Sequence, residues 1–414
     1  MSRVILHADL NNFFASVACN HSPELMEVPV AVCGDPAQRH GIVLAKNTPA
    51  KRAGIQTGQV LWQARQQCPE LITMTVDYRE VLKTSAAVRA IFQRYTSHVQ
   101  PFGSDEAWLD VSGPETTLRD GEHIANHLRH TVREETGMTV SVGVSDNRVF
   151  AKLGSDLKKP DAVSVICEAN RAAVLDPLPI NDLLFIGRRT ALKLNNIGIY
   201  TIGQLHDADP AVLKGLLGKT GLMLSGFAHG EDGAAVLASD APVVMKSVGN
   251  SVTAARDILG FEDARITLYG LCESVATRLR RHGYAGRVVK LAIRDDDLQW
   301  RQRQRILPFA TDCSFDLFQA AYELLTENWD EKTPLRSLGV CAGQLETAAE
   351  EMQLSFLPAD IQRQKRIILE RTMDQIRDKY GYAAIRRAVM LTDRRLGDIN
   401  PAQEHVLTPE PYFK

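Results

Sequence analysis

The sequence predicts a multidomain mixed α/β (α+β) protein, and three observations carry that prediction. Short apolar runs with strand spacing alternate with helical patterns over about the first 165 residues, the stretch 180–232 reads as helices alone, and alternation resumes from 246 to about 345. At 414 residues the chain exceeds what one hydrophobic core usually organises, so two to four domains are expected.

Val4 to Asp9 is a short strand whose odd positions, Ile5, His7 and Asp9, share one face. A helix from about Phe13 is entered through Asn11 and Asn12, both good cap residues, so Asp9 falls at a strand-to-helix corner. Residues 28–34 and 41–45 read as a strand pair separated by the turn-like Asp35-Pro36, and helical segments follow from about 49 and over 81–98. Glu106 to Val111 is the next strand, a long helical pattern comes after Pro114, and 139–145 is another strand. This interleaving predicts a sandwich with helices on one face, in which non-neighbouring strands bring Asp9 beside Asp105 and Glu106.

In the helical stretch, turn signals stand at Gly187, Gly198, Gly218 and Gly230. Its segment 186–199 has the helix, glycine turn, helix pattern of a hairpin whose backbone amides can hold a DNA phosphate, although any helical hairpin needs such a turn. After a linker over 234–244, strands are expected at 246–252, 287–294, 299–307 and 335–342, with helices over 265–282 and 315–328. The tail holds Gln353-Leu-Ser-Phe-Leu-Pro358, a helical stretch over 360–380 and a polar, proline-containing end.

Composition narrows the function classes. No run approaches the roughly 18 apolar residues of a membrane span, and the N-terminus lacks the basic and apolar regions of a signal peptide, so a cytoplasmic location is expected. The seven cysteines are odd in number and scattered, with no Cys-x-x-Cys pair, against both a disulfide framework and a zinc site. A net charge of -2 weighs against nucleic acid, because counterion release on phosphates needs Lys and Arg. Its distribution offsets that objection: from Lys246 to Arg305 there are twelve Lys and Arg against seven Asp and Glu. Arg301, Arg303 and Arg305 alternate along a predicted strand and so share one face, which suits either a phosphate backbone or plain solvent.

Asp9, Asp105 and Glu106 stand at the ends of apolar strands, where a charge is costly to bury unless it meets a cation. Three carboxylates from two strands suit a phosphoryl-transfer site in which two Mg²⁺, about 4 Å apart, clamp the attacking and leaving oxygens. A capped corner and a solvated turn would give the same pattern.

The segments His7-Ala-Asp-Leu-Asn-Asn-Phe-Phe-Ala-Ser-Val17, Val30-Ala-Val with Gly34, Ala45-Lys-Asn-Thr-Pro-Ala-Lys-Arg-Ala-Gly54, Ser104-Asp-Glu-Ala-Trp-Leu-Asp-Val111 and Ser141-Val-Gly-Val-Ser-Asp-Asn-Arg-Val-Phe-Ala-Lys152 follow one another in a telling order. Together they resemble the Y-family translesion DNA polymerases, in the DinB branch. The resemblance implies a right-hand polymerase: a ferredoxin-like palm over 1–20 and 78–168, small fingers over 21–77, and a helix-hairpin-helix thumb over 169–234. It further implies a linker at 235–244, an α/β little finger over 245–345 and a tail over 346–414.

Carried over by position, it makes Asp9, Asp105 and Glu106 the catalytic carboxylates. The same three and the Leu10 carbonyl become ligands of two Mg²⁺, and Phe14 the steric gate against a 2′-hydroxyl. Phe13, Thr48, Lys51 and Lys159 would line the nucleotide site, although the pattern reading of Phe13 is a core aromatic. Gly187, Arg301, Arg303 and Arg305 would contact primer-template DNA. Gln353, Leu354, Phe356 and Leu357 resemble the peptide by which bacterial relatives dock on the sliding clamp, the β subunit. The chain is expected to act as a monomer on DNA and dNTP, with low accuracy.

This sequence also departs from the pattern. Thr48 and Lys51 replace a Tyr and an Arg that grip the triphosphate, Asn11 replaces a second Asp, and Phe185 replaces the first glycine of the thumb hairpin. A catalytically weak accessory that binds DNA and the clamp is therefore the alternative. A nucleotidyl cyclase would share the paired carboxylates but has no use for a hairpin thumb or an arginine-lined second module.

Overall fold

The computed structural model describes residues 3–20, 22–36, 39, 41–241, 244–348 and 358–398. These divide into two compact units, residues up to 33 with 43–241, and 34–42 with 244–398.

In chain order the first unit contains β1 (Ile5–Leu10), α1 (Phe13–Cys19), β2 (Val30–Cys33), β3 (Val43–Lys46), α2 (Thr48–Arg52), α3 (Leu61–Gln67) and β4 (Ile72–Thr75). It continues with α4 (Tyr78–Phe92), β5 (Val99–Pro101), β6 (Glu106–Asp110), α5 (Leu118–Thr136), β7 (Val140–Ser145), α6 (Arg148–Leu157) and β8 (Val163–Val165). Short helices α7 (Arg171–Leu175), α8 (Arg188–Asn195), α9 (Ile202–His206), α10 (Pro210–Leu217) and α11 (Lys219–His229) complete it. Asp77, Thr117 and Asn147 start α4, α5 and α6 because each side chain accepts a backbone N–H of the first turn, which has no partner inside the helix.

β1 is the centre of a sheet ordered β5-β6-β1-β7-β8, antiparallel to both β6 and β7. The helices lie on both faces of this sheet, not on one as the strand-helix alternation suggests. Even positions of β1, Val4 before it, and the faces of α4 and α5 make one core, whereas Ile5, Trp108 and the residues of α6 and the later helices make another. Two glycines mark the two approaches. A Cβ on Gly121 of α5 would lie 2.5 Å from Val4 Cγ1, and one on Gly143 of β7 would lie 1.9 Å from the Ala151 carbonyl oxygen of α6. Periodicity misleads here: β7, Val-Ser-Val-Gly-Val-Ser, alternates as a strand with one apolar face would, yet it is buried on both sides, as is nearly all of β1.

A small sheet ordered β3-β2-β4 forms a separate layer with its own core of Ala31, Val43, Ala50, Ile55, Ala64, Cys68 and Leu71. Buried Asn47 locks its β3–α2 corner, accepting from Val30 and Ala50 N–H and donating to the Leu25 and Val28 carbonyls.

The second unit packs α12 (Phe261–Arg281) and α13 (Ser314–Asn328) on a sheet of β9 (Ser247–Ile258), β10 (Tyr284–Asp295), β11 (Trp300–Thr311) and β12 (Leu335–Thr347), ordered β11-β10-β12-β9. The expected strands and helices of this module are all present, each longer than its apolar run. Beyond it, α14 (Pro358–Tyr380) and α15 (Arg394–Gly397) fold back on α12 through buried charge. Glu370, 4% exposed, accepts from Ser314 N–H and Oγ and pairs with Arg280 and Arg387. Glu273, 3% exposed, pairs with Arg377 and Arg387. Among the described residues no helix is long and apolar enough to cross a membrane, and the cysteines are free thiols.

Candidate active site

Strand register builds the site. β1 and β6 pair so that Asp9 stands opposite Glu106, and Leu10 N–H donates to the Asp105 carbonyl at 2.9 Å, so the three carboxylates meet at one end of two adjacent strands. The loop that carries Asp105 is tied to α4: Ser85 Oγ donates to the Ser104 carbonyl at 2.5 Å, and Arg89 Nη2 to the Gly103 carbonyl at 2.7 Å. Gly103 holds φ at 101°, a value side-chain-bearing residues rarely adopt.

The close approach of α6 at Gly143 brings Lys152 over this face, and Lys159, two residues past the end of that helix, joins it. Lys152 Nζ lies 2.5 Å from Glu106 Oε2 and 3.3 Å from Asp9 Oδ2. Lys159 Nζ lies 2.9 Å from Asp9 Oδ2 and 2.8 Å from Asp156 Oδ1. Beneath them His7 is fully buried, its Nδ1 2.9 Å from Ser155 Oγ and its Nε2 3.4 Å from Glu106 Oε2. Ser155 Oγ also lies within hydrogen-bond reach of the Lys152 carbonyl, which ties His7 to the start of that turn of α6.

Burial dominates the electrostatics. It raises the Glu106 acid to about 7 against the pull of Lys152, and raises Asp105, to which the negative charge of Asp9 adds. Burial and the two lysines hold the His7 imidazole well below its ordinary value, hence neutral. Burial also works against the charged form of both lysines, but the carboxylates outweigh it and raise each of them. Among the described residues no three acidic, imidazole or thiol side chains enclose a cation as they stand. The oxygen donors nonetheless suit a hard divalent cation, since the site concentrates negative charge that burial would otherwise neutralise by protonation.

Phe14 is half-buried and meets Tyr78 of α4 edge to face, ring centroids 6.4 Å apart. Phe13 is 2% exposed in the core, so any contact it makes with a nucleotide falls to its backbone. Asn11 takes no place among the acids. It donates to Ser141 Oγ and accepts from Asp161 N–H, bracing the corner. Thr48 and Lys51 lie on α2, where Thr48 Oγ1 is 3.5 Å from Asn12 Nδ2.

Gly187 is the N-cap of α8 with open space beside it, and Phe185 before it holds φ at 68°, the left-handed conformation a glycine would take without strain. In the second unit Arg301, Arg303 and Arg305 do share one face, opposite Ile293, Leu291 and Val289 of β10, but it is the face that α13 covers. Arg305 pairs with Glu323 and Glu327, and Arg303 donates to Asn328 Oδ1 at 3.2 Å. Gln353, Leu354, Phe356 and Leu357 lie outside the described residues.

Sequence reasoning passes over Lys152, His7 and Asn12. Two of them carry a signal: Lys152 stands four residues before Asp156 on one helical face, and His7 shares strand parity with Asp9.

The impB/mucB/samB family model matches residues 8–156, and the model of that family's C-terminal domain matches 245–356. The DNA polymerase IV of Acetivibrio thermocellus is 45% identical over 399 residues, covering 96% of this chain and 100% of the relative. That of Moorella thermoacetica is 37% identical over 389 residues, covering 94% and 96%. Among solved structures, a Y-family DNA polymerase chimera of Dbh and Dpo4 superposes with a TM-score of 0.72 at 20% identity, covering 83% of this chain and 99% of its own.

Proposed function

The chain belongs to the impB/mucB/samB family, that of the Y-family DNA polymerases, and we propose that it extends a primer-template with dNTP as an error-prone translesion polymerase. The observation that carries this reading is the pairing of Asp9 with Glu106 across β1 and β6, with Asp105 immediately before β6 and bonded through its carbonyl to Leu10 N–H. Polymerases of this family depend on a metal; here two Mg²⁺ held by Asp9, Asp105, Glu106 and the Leu10 carbonyl would activate the primer 3′-hydroxyl and offset charge on the leaving pyrophosphate.

The chain's own groups do the rest. Lys159 exchanges part of its bond to Asp9 for the triphosphate. Lys152 keeps Glu106 and Asp9 from repelling one another. Phe14, backed by Tyr78, places an aromatic ring under the sugar so that a 2′-hydroxyl would collide with it. Thr48 and Lys51 face the phosphates, with the Phe13 backbone beside them. Gly187 offers its amide to a phosphate of the duplex, and Arg301 and Arg303 supply charge to the same backbone.

The domain reading goes with this function: palm over 1–20 and 78–168, fingers over 21–77, thumb over 169–234, little finger over 245–345. Gln353, Leu354, Phe356 and Leu357 would dock on the β sliding clamp, and the polymerase works as a monomer. A silent accessory role is not favoured, because Asn11, one of its grounds, serves the fold while Asp9 and Glu106 stand in register with Asp105 next to them.

Mg²⁺-dependent primer extension tests the reading. The wild-type chain should incorporate dNTP, and Asp105→Ala or Glu106→Ala should lose about 10³-fold or more while still binding primer-template. A wild-type chain that binds DNA tightly but never extends it would sink the proposal.

A further inference from the structure

Two asparagines follow one another at the end of β1, and their side chains are used differently. Asn11 is 5% exposed and satisfied on both sides of its carboxamide by Ser141 and Asp161. Asn12 takes the left-handed backbone, φ 50° and ψ 36°, at the N-cap of α1, yet its side chain does not cap that helix. Nδ2 reaches across to Thr48 Oγ1 at 3.5 Å, and among the described residues this is the only side-chain hydrogen bond that either makes. So long a bond leaves both groups able to serve a third partner.

The charge around the pair points to what that partner is. Lys51 lies one turn beyond Thr48 on the same face of α2, and Lys46 ends β3 just before it, with Nζ 3.1 Å from Thr57 Oγ1. Among the described residues neither lysine pairs with a carboxylate, unlike Lys83, Lys152 and Lys159. Burial, and then the charge of Lys51, hold the Lys46 ammonium below its ordinary value, so the two lysines lie close enough to feel one another. An anion whose oxygens accept from a hydroxyl and an amide answers both features, and a polyphosphate is such an anion.

We propose that Asn12 is a nucleotide-binding residue: its carboxamide and the Thr48 hydroxyl together donate to the polyphosphate of the incoming dNTP, in the positive field of Lys46 and Lys51. This rests on the polymerase reading and deepens it. The grip that the resemblance assigns to a Tyr and an Arg is divided here among four smaller or more flexible side chains, two of them outside the family's pattern. As the N-cap of α1, Asn12 accepts the Ser16 N–H at its carbonyl, while its carboxamide stays outside the helix's own hydrogen bonds and is free to serve the substrate.

Asn12→Gly tests it without unfolding risk, since glycine adopts the left-handed backbone freely and only the carboxamide is lost. Thr48→Val likewise removes the hydroxyl and keeps the shape. Melting temperature, equilibrium dNTP binding to the enzyme on a chain-terminated primer-template, and steady-state kinetics are measured for both variants and the double variant. Asn12→Gly should melt no lower than wild type, bind dNTP about tenfold more weakly and raise KM by more than it lowers kcat. The double variant should be little weaker than the worse single one, because the two groups act on one phosphate. Wild-type dNTP affinity in Asn12→Gly overturns the inference alone, making Asn12 a turn residue. A wild-type chain that neither binds nor incorporates dNTP overturns the polymerase reading with it.

Discussion

Lys152 Nζ lies 2.5 Å from Glu106 Oε2 and 3.3 Å from Asp9 Oδ2, so a helix crossing the sheet holds one ammonium between two carboxylates on facing strands. The site thereby carries a positive charge of its own, and removing it should be felt most where no divalent ion is supplied. Lys152→Met leaves buried carboxylates without that partner and should cost about 3 kcal/mol in EDTA, with part of the loss regained in Mg²⁺. Urea denaturation with and without Mg²⁺ measures both, and equal losses in the two buffers would show that Lys152 and the metal do not share these ligands.

Glu106 gives the pH dependence its sign. Burial raises its acid from the ordinary 4.5 to about 7, so the folded chain binds this proton more tightly than the unfolded one. Without metal, stability should therefore fall as pH rises from about 4.5 to about 7, and the penalty is complete above that. A divalent ion binds the ionised form and must displace the proton below pH 7. The rise in melting temperature on adding Mg²⁺ should accordingly be larger at pH 8 than at pH 6. A rise independent of pH would remove Glu106 from the metal site.

Phe14 is half-buried against Tyr78, so its ring has a backing that resists displacement. Phe14→Ala should open the space beneath the sugar and lower discrimination against ribonucleotides by about 100-fold, read as the ratio of kcat/KM for dNTP and rNTP. Unchanged discrimination would move the gate to another residue.

The three strand arginines should not behave alike. Arg303→Gln should lower the slope of log K against log salt for DNA binding by about 1. Arg305→Gln should lower it less, because Glu323 and Glu327 already neutralise Arg305. Equal slopes for the two variants would mean that DNA draws Arg305 away from its glutamates.

Much of this molecule is legible in its sequence. The alternation of strands and helices locates both modules, strand parity puts His7 with Asp9 and Arg301 with Arg303 and Arg305, and ordered motifs locate Phe14 and Lys159. Such features depend on spacing within one segment. Less legible is which face each strand turns to which neighbour: β7 alternates valine with serine and glycine as a half-exposed strand would, yet it is buried on both sides, so the spacing does not place helices on the second face of the central sheet.

The sequence by itself determined the longer elements, the carboxylates at their ends and the family they signal, because local period and residue type suffice for these; the short strands β4, β5 and β8 it did not mark. Only the tertiary structure decided that Gly143 lets α6 approach closely enough for Lys152 to reach Glu106, that Glu323 and Glu327 consume Arg305, and that Asn11 serves the fold while Asn12 turns toward Thr48. The reason is physical: an ion pair or hydrogen bond depends on distances of a few ångströms between segments tens to hundreds of residues apart, and those distances are fixed by packing.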